Sequence, residues 1–371
     1  MAHIVIDGRI INSSTGRYVE RLVTYLQDID KTNQYTVLVP SKDKHFWTPT
    51  ADNFTVKTAD FANYSMAEQT GFKKLLDELQ ADLVHFCMPQ QPVFYKGKVV
   101  TTFHDLTLLN TIMSDKNPIE YRFKQFLGRY VFKRVIAKSA HIITDTDYTK
   151  NEVIAFSKNA KGKTSTVLLA ADVNKGAVER YPTEFKQFIL YVGQQADFKN
   201  VPRLAAAHQR LIKKYPDLGL ILVGRKDKPA LQNEALFTEK GYKNIVFTDF
   251  IPDTQRDWLY EHAAAYVFPS LMEGFGLPGL EAMGYGTPVI SSNATCLPEV
   301  YEDAAVYFDP TDTTDVARAI DEVLSDDHLR SDLIKKGFLQ IKKYSWHKTA
   351  EQTHAIYMDA LASATNLPEQ S

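Results

Sequence analysis

Short apolar runs alternate with amphipathic stretches along the whole chain. HIVID leads into GRYVERLVTYL, and LVHF, VVTTFHD and HIITDT are each followed by turn residues or a helical period. Such runs read as strands buried on both faces, and the stretches between them as the helices of βαβ units. The rhythm pauses at residues 171–187, where ADVNKGAVERYPTEFKQ is polar and aperiodic, and restarts with FILYVG, GLILVG, NIVFTDF, AAYVFPS, PVISS and AVYFD. The pattern predicts an α/β protein of two doubly wound parallel-sheet domains, residues 1–170 and 188–344, joined by a linker at 171–187. A last amphipathic stretch, 345–363, opens at Ser345, a good helix N-cap, and the residues after it read as frayed. In such domains ligands sit at strand C-termini, so a cleft between the two domains is the expected site.

The segment PIEYRFKQFLGRYVFKRVIAKSA (118–140) carries Phe123, Phe126, Leu127, Tyr130 and Val131 near one helical face, with Arg122, Lys124, Arg129, Lys133, Arg134 and Lys138 around it. A basic amphipathic helix of this kind can lie on an anionic membrane. The commoner arrangement, an apolar face turned to the core with a solvated basic face, is the expectation here.

Composition narrows the chemistry. A length of 371 residues accommodates two cores, and Cys87 and Cys296 stand far apart, without the neighbours that a disulfide scaffold or a structural zinc site needs. No run approaches the roughly 20 apolar residues that span a bilayer, and the N-terminus enters a strand pattern directly. A soluble or at most peripheral protein of the cytoplasm is expected. The net charge of −2 argues against general nucleic-acid binding.

The chemistry concentrates in EGFGLPGLE (273–281), after the strand-like VFPS. Gly274 and Gly276 allow close backbone approach, Pro278 suits a first helical turn, and the N-terminus of that helix favours an anion. Glu273 and Glu281 flank the loop. Carboxylates oppose a bare phosphate but accept hydrogen bonds from hydroxyls, so a ligand with both phosphates and sugar hydroxyls fits the pair. Alone, Glu281 would be a first-turn acid and Glu273 a solvated one. Two further strand ends converge on the same half: YVGQQADFKN, with Gly193 and Lys199, and LVGRKDK, with Arg225 and Lys226. Lys199 near a helix start is badly placed for a cation unless an anion is present.

In the first half, His104 and Asp105 stand where VVTTF runs out. His104 has two open readings, a donor or proton shuttle at a sugar hydroxyl and a buried hydrogen-bonded histidine. Gly16 either brings backbone close to a phosphate or simply begins a helix. His85 and Cys87 read as packing.

PSLMEGFGLPGLEAMGYGTPVISSNATCLPEV (269–300) resembles the signature of the GT-B glycosyltransferases of family four, retaining enzymes that use nucleotide-sugars. IDGRI with TGRYVERL, FHDLTLL, FIPDTQRDWLYEHA and YSWHKTAEQT are similar to the same family, in order. The resemblance implies two Rossmann-like domains facing a central cleft, with helix 345–363 crossing back to the first. It implies that Glu281 holds the ribose hydroxyls, that Glu273 and the backbone of Gly274, Phe275, Gly276 and Leu277 meet donor sugar and diphosphate, and that Gly193 and Lys199 line the diphosphate, with Lys199 its cation. His104 would meet the donor sugar, Gly16 the phosphate, and the backbone at Ile251 the base. No metal or other cofactor is expected, because cations and helix N-termini stabilise the leaving diphosphate. Two departures stand out. The family usually has an arginine directly after the glycine or directly before the lysine of YVGQQADFKN, where this chain has Gln194 and Phe198, and SSTGRY has one glycine where relatives often have two.

The expected function is transfer of a hexose-type sugar from a nucleotide diphosphate sugar to a glycan or glycolipid, with peripheral contact at the inner face of a membrane as the possible addition. The alternatives are a GT-B sugar-nucleotide epimerase and a non-catalytic nucleotide-sugar-binding module. Donor base, acceptor, linkage and oligomeric state carry no readable signature.

Overall fold

The computed structural model describes residues 1–111, 117–174 and 176–363, the side chains of Pro118 and Glu120 excepted. The chain forms two compact units. One comprises Met1–Leu109, Gln125–Leu169 and the chain from Ser345 onward, and the other Asn110–Lys124 and Ala170–Tyr344.

The first unit holds a seven-stranded parallel sheet of β1 (His3–Asp7), β2 (Gln34–Val39), β3 (Phe54–Thr58), β4 (Leu83–Phe86), β5 (Val99–Phe103), β6 (His141–Thr144) and β7 (Thr164–Thr166). Their order is β3-β2-β1-β4-β5-β6-β7, with Val5 opposite Thr36 on one side and Val84 on the other. The second unit repeats the plan with six strands: β8 (Gln187–Val192), β9 (Leu218–Val223), β10 (Ile245–Phe247), β11 (Ala265–Phe268), β12 (Val289–Ser292) and β13 (Ala305–Phe308). Their order is β10-β9-β8-β11-β12-β13, all parallel. Both units are therefore Rossmann-like. The central strands are continuous apolar runs because helices cover both faces; every residue of β4, β5, β9, β11 and β12 is buried.

Strand order reverses direction between β1 and β4 in the first sheet and between β8 and β11 in the second. Loops leaving adjacent strands at such a point diverge to opposite faces and leave a crevice at the strand C-termini. His104 follows β5, one strand beyond the first such point. Lys199 and Glu273 lie in the loops after β8 and β11, which flank the second.

The closing helix, Trp346–Ala362, starts where expected: the Ser345 side chain accepts from the Lys348 amide. It packs on the helix Gly16–Ile29 in the first unit and buries Trp346, Ala350, Tyr357 and Ala360. Each buried large side chain contributes about 1.5–3 kcal/mol. Polar ties supplement this, with His354 Nε2 3.0 Å from Asp30 Oδ2 and Lys98 Nζ donating to the carbonyls of Ala360, Leu361 and Ser363.

The helix Pro118–Lys138 departs from expectation. Its core side is Phe132, Val135 and Ile136, packed with Phe103, Leu106 and Leu109, while Phe123, Phe126, Leu127 and Tyr130 are exposed. Of the apolar face read from the sequence, only Val131 is partly covered. The helix carries two apolar stripes, and its periodicity gives no sign of which one the sheet takes.

Candidate active site

Two loops of the second unit are stitched together. The Leu271 amide donates to the Phe198 carbonyl at 2.7 Å, and Asn200, with φ +58°, donates through Nδ2 to the carbonyls of Pro269 and Pro310. This brings Lys199 Nζ to 2.6 Å from Glu273 Oε1, with the two side chains 19 % and 11 % exposed. The Lys199 ammonium also sits 5.2 Å from the Phe198 ring centre and 5.6 Å from that of Phe268. Phe198, at one of the two positions where the family usually has an arginine, thus holds the lysine by a cation–π contact. Gln194 is exposed, and its carbonyl accepts from the Tyr191 hydroxyl.

Glu273 is fixed at its backbone: its amide donates to Thr295 Oγ1 at 3.2 Å and its carbonyl accepts from Cys296 Sγ at 3.3 Å. Its carboxylate helps to raise the Tyr301 and Tyr191 hydroxyls well above the usual tyrosine range, after burial as the larger cause. Gly276 caps the helix Leu277–Gly284 with φ +94°, and a β-carbon there would stand 2.5 Å from the Tyr301 hydroxyl and 2.6 Å from Leu297 Cδ2. Only glycine fits both the backbone and the space. The Phe275 side chain is buried edge-on to Tyr344 at 5.6 Å, so only its backbone is available to a ligand.

Glu281, one turn into that helix, is 5 % exposed and accepts from the Tyr260 hydroxyl at 3.1 Å. The helix Asp253–His262 supplies Tyr260 and also Arg256, whose guanidinium bonds Asp257 and Asp253. Burial lowers the Arg256 pKa, but the field of Glu281 and these aspartates outweighs it and raises the value. Gly193 donates its amide to the Val223 carbonyl at 2.9 Å, which places it at the β8–β9 strand ends. Next to Ile251, a cavity of about 420 Å³ is lined by Arg225, Lys226, Asp227, Asp249 and Phe250. Arg225 lies 6.0 Å from the Phe250 ring centre, and Lys226 is paired with Glu234 at 2.7 Å.

In the first unit His104 is buried. Its Nδ1 is 2.6 Å from Asp145 Oδ2 and its Nε2 3.0 Å from the Cys87 carbonyl oxygen. That carbonyl only accepts, so Nε2 carries a proton, and a second lies in the bond to Asp145. Burial lowers the pKa of His104, but the Asp145 carboxylate more than offsets this and raises it above the ordinary histidine range. Gly16 opens its helix, and a β-carbon there would lie 2.0 Å from the Ile10 carbonyl oxygen. Its amide is engaged with Ser13, at 3.0 Å to the carbonyl and 3.1 Å to Oγ. These contacts make Gly16 a packing requirement of the loop.

Two family descriptions match in tandem: Glycosyltransferase Family 4 over residues 15–173 and Glycosyl transferases group 1 over residues 179–340. The O-antigen chain mannosyltransferase B of Escherichia coli is 31 % identical over 279 residues, 70 % of each chain. The chain is a group 1, family four glycosyltransferase. The serotype-specific mannosyltransferase WbdA of Escherichia coli is 30 % identical over 68 % of this glycosyltransferase, which spans 32 % of WbdA's length. Sucrose-phosphate synthase from Thermosynechococcus elongatus shares the GT-B fold, with a TM-score of 0.80 at 18 % identity over 98 % of this chain and 100 % of that one.

Four contributors to the glycosyltransferase's site geometry went unassigned in the sequence. Asp145 ends HIITD, as His104 follows VVTTF, and adjacent parallel strands make such ends neighbours. Tyr260 and Arg256 lie in FIPDTQRDWLYEHA, where i, i+4 spacing on one helix offered the signal. Thr295 gave none. Among the described residues, no group of three His, Cys, Asp or Glu side chains is disposed to hold a metal ion.

Proposed function

We propose that this glycosyltransferase transfers a hexose of the mannosyl type from a nucleotide diphosphate sugar to a glycan or glycolipid, with retention at the anomeric carbon and without a metal. The Lys199–Glu273 pair beside the N-terminus of helix Leu277–Gly284 is the observation that carries this reading. A diphosphate arriving there displaces the carboxylate as the partner of Lys199, and the freed Glu273 accepts from sugar hydroxyls. As the sugar–phosphate bond breaks, the lysine and the helix N-terminus stabilise the growing negative charge. Glu281, deeper in the same helix, suits the ribose diol, and the cavity beside Ile251 is large enough for part of a base. His104, whose ring protons are held by Asp145 and the Cys87 carbonyl, becomes a donor to a sugar hydroxyl when its Nε2–H exchanges that carbonyl for the hydroxyl. The mannosyl assignment follows the names of the two relatives, and retention follows the family resemblance.

The acceptor's surroundings are read from helix Pro118–Lys138. Ile119, Phe123, Phe126 and Tyr130, spaced four, three and four residues apart, form one exposed stripe beside exposed Arg122, Lys133 and Arg134. Aromatics flanked by basic groups suit the interface of an anionic bilayer, so the helix is proposed to lie on the inner face of the cytoplasmic membrane. No helix among the described residues is long and apolar enough to cross a membrane.

The deciding experiment incubates the protein, with a chelator present, with a panel of nucleotide-sugars and mannosylated acceptors, and follows early product by proton NMR. Transfer of mannose from an α-linked donor into an α-linked product is expected. Conversion of donor without acceptor would make the protein an epimerase, binding without turnover a non-catalytic module, and complete metal dependence or an inverted product would overturn the mechanism.

A further inference from the structure

Beneath His104 lies a circuit of buried polar groups that the reaction above does not use. The Tyr357 hydroxyl is 2.5 Å from His85 Nδ1, and His85 Nε2 is 2.8 Å from Thr102 Oγ1. Thr102 Oγ1 is 3.0 Å from the Tyr18 hydroxyl, which also faces the Thr353 side chain, and Thr353 Oγ1 donates to the Thr349 carbonyl at 2.8 Å. Tyr18, His85, Thr102, Thr353 and Tyr357 are all at most 2 % exposed. Thr353 and Tyr357 stand one turn apart on the closing helix, so the circuit leaves that helix and returns to it.

Counting protons fixes its direction. The Thr353 proton is given to Thr349, so toward the Tyr18 hydroxyl it faces, Thr353 is left as an acceptor. Tyr18 then accepts from Thr102, Thr102 from the Nε2–H of His85, and His85 Nδ1 from Tyr357. Every hydroxyl donates once, and His85 is neutral, with burial pushing its pKa down to about 3. The reverse direction would leave the Tyr357 proton without an acceptor among the described residues.

The circuit reaches His104 through Tyr18, whose ring meets the imidazole at 4.9 Å and 78°. The hydrogen bond to Thr102 and the contact with the Thr353 side chain at its hydroxyl fix where that ring stands. The other groups acting on His104 are Asp145, the charge of Asp105 and the Cys87 carbonyl, while His85 feels His104 in turn. We infer that Thr353 and Tyr357 are positioning residues for sugar transfer, holding the His104 ring against Asp145 by way of Tyr18. The inference rests on the role proposed for His104.

The test uses the full chain with Tyr357→Phe, Thr353→Val and the conservative Thr353→Ser. Carbon-13-labelled histidine reports the His104 ring, assigned by the signal lost in His104→Asn, and steady-state kinetics separate kcat from KM. Tyr357→Phe and Thr353→Val are expected to lower kcat roughly tenfold, on the scale of disturbed acid–base groups, while KM for the donor changes less than about twofold. In both, His104 should titrate at a lower pH than in wild type, because a looser bond to Asp145 holds the proton less firmly, and Thr353→Ser should restore both values. If both variants lose thermal stability while kcat and the His104 titration stay at wild type, the circuit only anchors the helix and the inference fails. A wild-type kcat in His104→Asn would instead overturn the proposed role of His104, and the positioning role with it, whatever the NMR shows.

Discussion

Replacing Lys199 by Ala separates what the Lys199–Glu273 pair does for the fold from what it does for the reaction. The pair is short at 2.6 Å and mostly covered. It falls between exposed pairs, worth about 0–1 kcal/mol, and buried ones, whose rupture costs about 3–5 kcal/mol. A loss of about 1.5–3 kcal/mol of stability is expected for Lys199→Ala, because the mostly covered Glu273 carboxylate loses the ammonium it is paired with. Adding Glu273→Gln should return about 1–2 kcal/mol, as the uncompensated charge disappears. In transfer the two substitutions should not compensate. Removing a charge-assisted hydrogen bond to the leaving diphosphate costs about 1.5–3 kcal/mol, a fall of roughly ten- to a hundredfold in rate at saturating donor, and the double variant should be no faster than Lys199→Ala. Urea unfolding of the four proteins of the cycle, with transfer rates measured on the same samples, is the assay. Additive stability losses would show that the pair does not form in solution, and a wild-type rate in Lys199→Ala would show that this lysine is not the diphosphate cation.

Glu281→Ala should weaken nucleoside diphosphate binding at least tenfold by calorimetry, by removing the carboxylate proposed for the ribose diol; unchanged affinity would take Glu281 out of the site. Phe198→Arg removes a ring that supports Lys199 while adding the cation common in the family, so turnover should rise with donor affinity kept; a slower enzyme would show that the ring matters more than the charge. Sedimentation with acidic vesicles should be strong at low salt and fall with salt, and should be lost in Phe123→Ser/Phe126→Ser; equal recovery with neutral vesicles would refute lipid docking through this face. The His85 pKa is depressed to about 3 by burial, with the charge of His104 adding to it, so its contribution to stability is full above the unfolded value near 6.5 and is lost as pH falls through that interval. At about 1.36 kcal/mol per unit the loss approaches 5 kcal/mol. His85→Gln should flatten this part of the acid-unfolding curve, and an unchanged curve would show that His85 does not drive it.

The sequence by itself determined the two parallel sheets, because strands covered on both faces must be apolar throughout and their helices amphipathic. It also placed the glycine loop between its two glutamates, since Gly276, Pro278 and the acids act within one strand-to-helix turn and local chemistry is written locally. Ser345 as a helix cap was legible for the same reason. Tertiary structure alone decided what joins residues distant in sequence: Lys199 with Glu273, His104 with Asp145, and the closing helix with Tyr18 and His85. It also decided that Phe123, Phe126 and Tyr130 face outward. A helix with two apolar stripes satisfies its own periodicity either way, and only the competition for the sheet, won by Phe132, Val135 and Ile136, settles which stripe is buried. Gly16 shows the same limit: the sequence offered phosphate approach or a plain helix start, and the Ile10 carbonyl, 2.0 Å from where a β-carbon would stand, is a packing neighbour that only the folded loop supplies.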